Sequence, residues 1–246
     1  PIMLHSVHGL YLQLNGNHQP ELTADTAYTA TQRYLQQNKE VSSSFWKSYM
    51  DQLEDQEDLS SLLKETQRHT DLGTYKQIKD HRDVELLIEG EQYQQLKAFT
   101  QTNGFTVNAV LQYLWHNQLK IYGNSEVTVV GTTISGRNLP IDGIEYSAGL
   151  YINTLPLIVT HKEGRVKDQI VKIQDHISEL NSHSDANLAK LQRDGRRIFS
   201  SLFVYENYPV PQGENNNELG FVFRDGIERL DYPLGVTAFE RNEKVS

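Results

Sequence analysis

Two strand-like runs that flank a glycine-containing stretch constrain the fold of this chain most strongly. SEVTVVGTTISGR (residues 125–137) and YINTLPLIV (residues 151–159) are both rich in β-branched and apolar residues. Apolar residues at helical spacing lie on either side of this pair: Val107, Val110, Leu111, Leu114 and Trp115 before it, and Val166, Ile170, Ile173, Ile177 and Leu180 after it. Strands that alternate with amphipathic helices predict a mixed α/β sheet domain.

The rest of the chain extends this pattern in both directions. We predict helices over residues 1–14, 24–38 and 43–53, then a polar connector over 54–82 with a short helical turn near 59–63. DVELLIE (Asp83 to Glu89) is predicted as a strand. A helix follows that carries Tyr93, Leu96 and Phe99 and ends at Asn103-Gly104, with Thr106 capping the next helix. Further predictions are a short helix near 187–193, strands at 200–209, 221–225 and 232–240, and a loop at 211–218. This divides the chain into a helical connecting region, 1–82, and an α/β lobe, 83–246.

Composition excludes several kinds of chemistry and partner. The 246 residues include no cysteine, which excludes disulfides, thiolate metal sites and a catalytic cysteine, and suits a cytoplasmic location. The net charge of −9, with acids and bases mixed along the chain, argues against nucleic acid and anionic membrane as main partners. No apolar run is long enough to cross a membrane, and no signal peptide opens the chain.

Familiar catalytic and cofactor motifs are missing as well. The sequence contains no GxGxxG, GxxxxGK[ST] or GxSxG motif, and its nine histidines include no HExxH spacing, so we expect no metal and no directly bound cofactor. His183-Ser184-Asp185 is interpreted as a helix-capping turn, because adjacent residues rarely point at one another. Residue chemistry alone therefore nominates no nucleophile and no general base.

Several collinear motifs resemble those of the condensation domains of nonribosomal peptide synthetases. ISGRNLPIDGIEYSAGLYINTLPLIV, residues 134–159, resembles the family's Ser-Gly-Arg strand end, its I-x-G-I-E segment and its Asn-Thr-Leu-Pro strand. FWKSYMDQL, TVNAVLQYLWHNQLKIYGN and SSLFVYENYP match further family helices and a strand. Weaker matches are Tyr28 with residues 30–32, the stretch 183–187 and the stretch 193–203.

The resemblance implies the carboxy-terminal lobe of a two-lobed fold of the chloramphenicol-acetyltransferase type. The family's HHxxxDG histidine motif occurs nowhere in the 246 residues. In the family that motif precedes a helix like residues 1–14, so we expect the amino-terminal lobe to be missing, this fragment alone to be inactive, and its lobe to be incomplete at its end. An epimerization domain, a non-catalytic lobe that docks carrier proteins, and a free-standing acyltransferase of the same fold are the alternatives.

The resemblance also implies partners and a substrate channel. Donor and acceptor carrier proteins would each deliver a phosphopantetheine arm between the lobes, beside neighbouring synthetase domains. Channel candidates are Ser135, Gly136, Arg137, Gly149, Asn153 and Thr154. Arg137 either braces the crossing segment or contacts substrate, and bracing is favoured. Asn153 either faces the channel or hydrogen-bonds neighbouring backbone where the strand bends. Gly149 is expected to allow close packing.

A basic cluster is the candidate contact for carrier proteins. It consists of Lys190, Arg193, Arg196 and Arg197. Carrier proteins are generally acidic and their arm bears a phosphate, so a local basic patch suits them despite the overall negative charge. A solvated helix end is the alternative interpretation.

Overall fold

The helices and strands follow the hydrophobic pattern closely through the middle of the chain. The computed structural model describes residues 2–20, 24–53, 59–73, 82–192, 196–206 and 231–246. The helices are α1 Ile2–Asn15, α2 Ala27–Gln37, α3 Lys39–Met50, α4 Gly90–Asn103, α5 Val107–Gly123, α6 Val166–Ser182 and α7 Leu188–Leu191. Short 3-10 turns at Ser60–Leu62 and Glu65–Gln67 occupy the predicted connector. Thr106 caps α5 as predicted, because its hydroxyl accepts a hydrogen bond from Ala109 N.

The strands form one mixed sheet in the described part of the chain. They are β1 Val127–Ile134, β2 Asn153–Thr160, β3 Ser201–Glu206, β4 Leu234–Arg241 and β5 Lys244–Val245, in the spatial order β2-β1-β3-β4-β5. Strands β1, β3 and β4 run parallel, whereas β2 and β5 are antiparallel to their neighbours. The carboxyl ends of β1, β3 and β4 therefore lie along one edge of the sheet, where α/β proteins commonly place their sites. The predicted mixed α/β class is confirmed.

The largest core lies between the sheet and helices α3 and α6. Its buried residues are Trp46, Tyr49 and Met50 from α3, Ile173 and Leu180 from α6, Val129, Ile134, Leu155, Leu157 and Ile158 from the sheet, and Ile198 and Phe199 before β3. The Tyr49 hydroxyl accepts a hydrogen bond from Ile158 N at 2.9 Å. Helix α3 thus shares one core with the sheet.

The inner face of α5 is partly polar, which the sequence pattern does not predict. Leu114, predicted to be buried, is 47% exposed, whereas Gln112 and His116 are fully buried. Gln112 donates to Thr132 Oγ1, and His116 Nδ1 lies 2.7 Å from Thr128 Oγ1, which lies 2.8 Å from His161 Nε2. Burial lowers the pKa of His116 to about 3 and also lowers the pKa of His161.

The predicted strand at residues 83–89 is wrong for all but one residue. Only Ile88 makes a strand-like bridge, to Val245, and residues 82–87 carry no regular structure. Val84 is 97% exposed and Leu86 75% exposed. A strand needs a hydrogen-bonded neighbour, and no described residue pairs with 82–87. The predicted strand at 221–225 and the loop at 211–218 lie outside the described residues.

Within the described ranges, no helix is both long and apolar enough to cross a membrane.

Candidate functional site

The segment that leaves the carboxyl end of β1 turns sharply at a glycine. Gly136 has a φ of +62°, in the left-handed region that favours glycine. A Cβ at this position would lie far inside the van der Waals radius of the Tyr151 carbonyl oxygen. Both the backbone angle and the close approach therefore require glycine here.

Arg137 braces the crossing segment, which we define as residues 135–152. Its Nη1 donates hydrogen bonds to the carbonyl oxygens of Ile144 and Ser147, the latter at 3.0 Å. Its guanidinium carbon lies 4.1 Å from the centroid of the Tyr151 ring, within range of a cation–π interaction. Both hydrogen-bond partners of Arg137 are thus backbone carbonyls of the segment itself. Ser135 is exposed, and its hydroxyl accepts a hydrogen bond from Arg137 N.

Asp25, just before α2, anchors the same segment and was not predicted from the sequence. Its carboxylate accepts hydrogen bonds from Ser147 Oγ and Ala148 N at 2.8 Å each and from Ala27 N at 3.1 Å. The Ser147 bond, followed by the Ala148 bond, holds the pKa of Asp25 below its usual value. An Asp before a helix is a capping signal in the sequence, but its tie to residues far along the chain is not.

A small apolar cluster fills the inside of the crossing segment. Leu139, Ile144 and Tyr151 are buried against Tyr28, Tyr34 and Leu35 of α2. A Cβ on Gly149 would lie 2.3 Å from Cδ2 of the Tyr28 ring, so the glycine packs as closely here as expected. The outer side shows Tyr146 at 79% exposure and Leu150 at 81%. The crossing segment therefore packs on α2 with one side and exposes the large side chains of Tyr146 and Leu150 on the other.

Asn153 joins the start of β2 to the loop that follows α6. Its Nδ2 donates to the carbonyl oxygens of Ser184 and Ala186, at 2.9 Å and 2.8 Å. Its Oδ1 accepts from Thr154 N at 2.8 Å. Both amide hydrogens are thus bonded to backbone carbonyls of that loop and not to backbone next to Asn153 in sequence, and its role as a channel residue stays a prediction. Thr154 is half-buried opposite Thr133 of β1.

The loop at residues 183–187 is also held by α3. Ser42 donates to Asp185 Oδ1, and Trp46 Nε1 donates to the His183 carbonyl at 3.0 Å. The His183 ring stacks on Phe45 with centroids 4.1 Å apart. This loop is therefore fixed from two sides, by α3 and by Asn153.

A cavity of about 540 Å³ opens at the carboxyl edge of the sheet, beside the crossing segment. Its lining includes Asn138, Asn108 at the start of α5, Asn181 of α6, Tyr205 of β3 and the pair Lys97–Glu240. Glu240 accepts hydrogen bonds from Lys97 Nζ at 2.8 Å, Tyr93 OH at 2.9 Å and Tyr205 OH. Burial opposes ionisation of Glu240, but these three donors together keep its pKa below the usual value. No sequence motif pointed to this network.

The predicted basic cluster is only partly free to meet a partner. Arg196 Nη2 pairs with Asp71 Oδ1 at 2.8 Å, and the Arg197 guanidinium carbon lies 5.2 Å from the Tyr232 ring centroid. Lys190 is exposed on α7. Arg193 lies outside the described residues. Among the residues that the structure describes, no group of three or more His, Asp or Glu side chains is arranged to hold a metal ion.

Comparisons with known proteins identify the family. The condensation domain family matches residues 1–246. The chain is 36% identical over 251 residues to N-(5-amino-5-carboxypentanoyl)-L-cysteinyl-D-valine synthase of Penicillium rubens, covering 98% of this chain and 7% of the relative. It is 31% identical over 210 residues to bacitracin synthase 3 of Bacillus licheniformis, covering 82% of this chain and 3% of the relative.

A solved structure agrees at the level of the fold. The first condensation domain of the calcium-dependent antibiotic synthetase, in complex with a substrate analogue, superposes with a TM-score of 0.59 at 14% identity. The match covers 82% of this chain and 44% of that domain. The predicted fold of the chloramphenicol-acetyltransferase type is confirmed, and the chain belongs to the condensation domain family.

Proposed function

We propose that this chain is the carboxy-terminal part of a condensation domain in a nonribosomal peptide synthetase. The single observation that carries the proposal is the family match, which spans residues 1–246. The intact domain joins a carrier-bound acyl or peptidyl thioester to a carrier-bound aminoacyl amine. The amine nitrogen attacks the thioester carbonyl, a C–N bond forms, the C–S bond breaks, and the thiol leaves with the proton that the amine gives up.

In this proposal the chain supplies one wall of the channel, and the HHxxxDG histidine lies in the other lobe. Catalysis then depends on holding two tethered ends in line, which accounts for much of the rate in such reactions. Gly136 and Arg137 set the path of the crossing segment, and Asn153 sets the start of β2 against residues 184–186. Ser135, Gly149 and Thr154 stay predictions as channel residues. The cavity next to Asn138 extends the same wall.

The test is amide formation by the intact domain. Two carrier proteins are loaded, one with an acyl group and one with an amino acid, and the products are read by mass spectrometry. Arg137→Ala is expected to reduce turnover at least about tenfold, because the crossing segment loses its brace. Arg165→Ala is the control, since Arg165 is exposed at the start of α6 and pairs only locally with Asp168. Inversion of the donor without a new amide would favour an epimerization domain, and carrier binding without any product would favour a docking lobe.

We expect the isolated chain of 246 residues to give no amide in the same assay. The expected general base or positioning group, the HHxxxDG histidine, is outside it. Turnover by the isolated chain would contradict this expectation. A cytoplasmic location also stays a prediction.

Carrier contact is proposed for the exposed part of the basic cluster. Lys190 is its exposed described member, and phosphate and acidic side chains are suitable partners for it. We expect Lys190→Glu to weaken binding of a phosphopantetheine-bearing carrier a few-fold, measured by calorimetry at low salt. Lys167→Glu on α6 is the control, because Lys167 is also exposed. Equal effects of both variants would leave only a general charge effect and contradict the contact.

A further inference from the structure

Ser147, in the second half of the crossing segment, is the point where that segment is tied to the residues before α2. Its side chain is buried. Its hydroxyl accepts a hydrogen bond from Tyr151 OH at 2.6 Å and donates to the Asp25 carboxylate at 2.8 Å. The neighbouring Ala148 N donates to the same carboxylate at 2.8 Å. Asp25 therefore holds two consecutive residues of the crossing segment.

A carboxylate suits this position because donors converge on it from two parts of the chain. Asp25 accepts from Ser147 Oγ, from Ala148 N and, at 3.1 Å, from Ala27 N. Its two oxygens together offer about four lone pairs to such donors. An alanine at position 25 offers none, so the buried hydroxyl of Ser147 would lose the acceptor of its proton. An asparagine keeps one accepting oxygen and therefore preserves part of the tie.

The base of the crossing segment responds to the position of Ser147. Arg137 Nη1 donates to the Ser147 carbonyl at 3.0 Å, and its guanidinium carbon lies 4.1 Å from the centroid of the Tyr151 ring. Gly136 packs directly on the Tyr151 carbonyl, where an added Cβ would clash with the oxygen. The two ends of the crossing segment are thus in contact with each other and with Ser147.

Two polar side chains at the start of the crossing segment depend on this arrangement. Ser135 comes directly before Gly136 and is a predicted channel residue. Asn138 comes directly after Arg137 and lines the cavity of about 540 Å³ at the carboxyl edge of the sheet. Because both are covalently joined to the braced residues 136 and 137, a shift of the brace moves them as well. The geometry therefore links Asp25, which lies far away in sequence, to this part of the wall.

We propose that Asp25 is a positioning residue for amide formation: it touches no substrate, and it holds the crossing segment where the tethered acyl and amine groups meet in line. The inference rests on the proposed function, because it assumes that the crossing segment borders the channel. Without the carboxylate, the segment still packs on α2 through Leu139, Ile144 and Tyr151 but shifts at Ser147 and at its base. The alignment of the two tethered ends is then lost, and their binding is not.

The experiment compares a tethered amine with a free one on the same preparation of the intact domain. The donor is an acyl group on its carrier protein. The acceptor is either an amino acid on the second carrier or the primary amide of that amino acid, free in solution and in excess. A free amine is not held in line by an arm, so its rate depends little on the position of the channel wall. The ratio of the tethered rate to the free rate is also independent of the fraction of folded protein.

Asp25→Ala is expected to lower this ratio at least about tenfold, while the KM for the loaded acceptor carrier changes less than about twofold. Asp25→Asn is expected to lower it only about threefold, because one accepting oxygen remains. Asp168→Ala is the matched control: Asp168 is also exposed and lies in the first turn of α6, but its carboxylate pairs with Arg165 nearby in sequence. We expect the ratio in that variant to equal the ratio in the unmodified domain.

Amide hydrogen exchange tests the anchor without any amide formation. The N–H of Ala148 is expected to exchange at least about tenfold faster in Asp25→Ala than in the unmodified domain, because its acceptor is gone. The same N–H is expected to exchange at an unchanged rate in Asp168→Ala. This measurement applies whatever reaction the domain catalyses.

Failure of the proposed function and failure of this inference give different results. An unmodified domain that forms no amide with either amine contradicts the proposed function. An unmodified domain that forms the amide, with the same ratio of rates in Asp25→Ala, overturns the role of Asp25, because the residue would then contribute to stability alone. Should Asp25→Ala not fold, Asp25→Asn decides in its place, and an unchanged ratio in that variant overturns the role as well.

Discussion

The crossing segment and the edge segment 82–88 are both well patterned in sequence, yet only one of them is well ordered by its surroundings. The crossing segment is held by Arg137, by the Asp25 carboxylate and by the ring of Tyr28. The edge segment makes one bridge, at Ile88, and leaves Val84 and Leu86 to solvent. The contrast shows that an irregular segment can be fixed firmly by polar anchors, whereas a segment with a strand-like sequence pattern stays without regular structure where no described residue pairs with it.

Acid is expected to have the largest effect, and it acts on the buried inner face of α5, outside both segments. The pKa of His116 is about 3 in the folded protein, because the side chain is buried. A histidine in the unfolded chain has a pKa of about 6.5 and therefore takes up a proton at a higher pH. The unfolded state therefore binds more protons below that pH, and the stability present above it is lost as the pH falls. His116 alone contributes a loss of about 1.4 kcal/mol per pH unit, or about 3 kcal/mol by about pH 4.5.

Urea unfolding at pH 7 and at about pH 4.5 measures this loss. His116→Gln is expected to show a smaller difference between the two pH values, because glutamine does not titrate. An unchanged difference in that variant would show that protonation of other groups, and not of His116, accounts for the acid sensitivity.

Gly136→Ala is expected to break the crossing segment, at a cost of about 3 kcal/mol in the free energy of unfolding. The new Cβ meets the Tyr151 carbonyl, and the positive φ is unfavourable for alanine. Gly143→Ala is the matched control: its φ of +74° is also positive, but nothing lies within 4 Å of the added atom. That variant is expected to lose only about 1 kcal/mol, and equal losses would remove the role assigned to the close approach.

Asn153→Ala is expected to lower the free energy of unfolding by about 2 kcal/mol, because the carbonyls of Ser184 and Ala186 both lose a donor. Chemical denaturation measures the change. Asn38→Ala removes a single exposed bond to Tyr34 O, and we expect a loss below about 0.5 kcal/mol there. Similar losses for both asparagines would contradict a bracing role for Asn153.

Val84→Thr is expected to have the smallest effect, below about 0.5 kcal/mol, because the side chain is already 97% exposed. Val130→Thr places a hydroxyl in the core and is expected to destabilise by about 2 kcal/mol. Large destabilisation by Val84→Thr would mean that the side chain is packed in the folded protein after all.

The sequence predicted those elements whose signals are local. The apolar spacing in α6 and the cap at Thr106 correctly gave helices, and the β-branched runs gave β1 and β2. It failed for residues 82–87, because strand formation depends on a distant partner and not on the alternation itself. It also missed β5, which has only two residues and little pattern of its own.

The candidate site was predictable in part for the same reason. Gly136 and Arg137 stand in a motif that resembles the family, and the structure gives both of them a bracing geometry. Asp25 and Glu240 were missed, because each acts on residues far away in sequence. The burial of Gln112 and His116 was missed because a helix that packs on a sheet is expected to present apolar residues there.

The polar inner face of α5 sets the position of the helix along the sheet. Apolar side chains can repack if a helix slides along a sheet, but Gln112 and His116 each have one matching hydroxyl, on Thr132 and Thr128. Any other axial position of α5 would leave these buried groups unpaired. The two hydrogen-bonded pairs, Gln112 with Thr132 and His116 with Thr128, thereby fix where α5 begins. They also fix the position of Asn108 at the cavity on the carboxyl edge of the sheet.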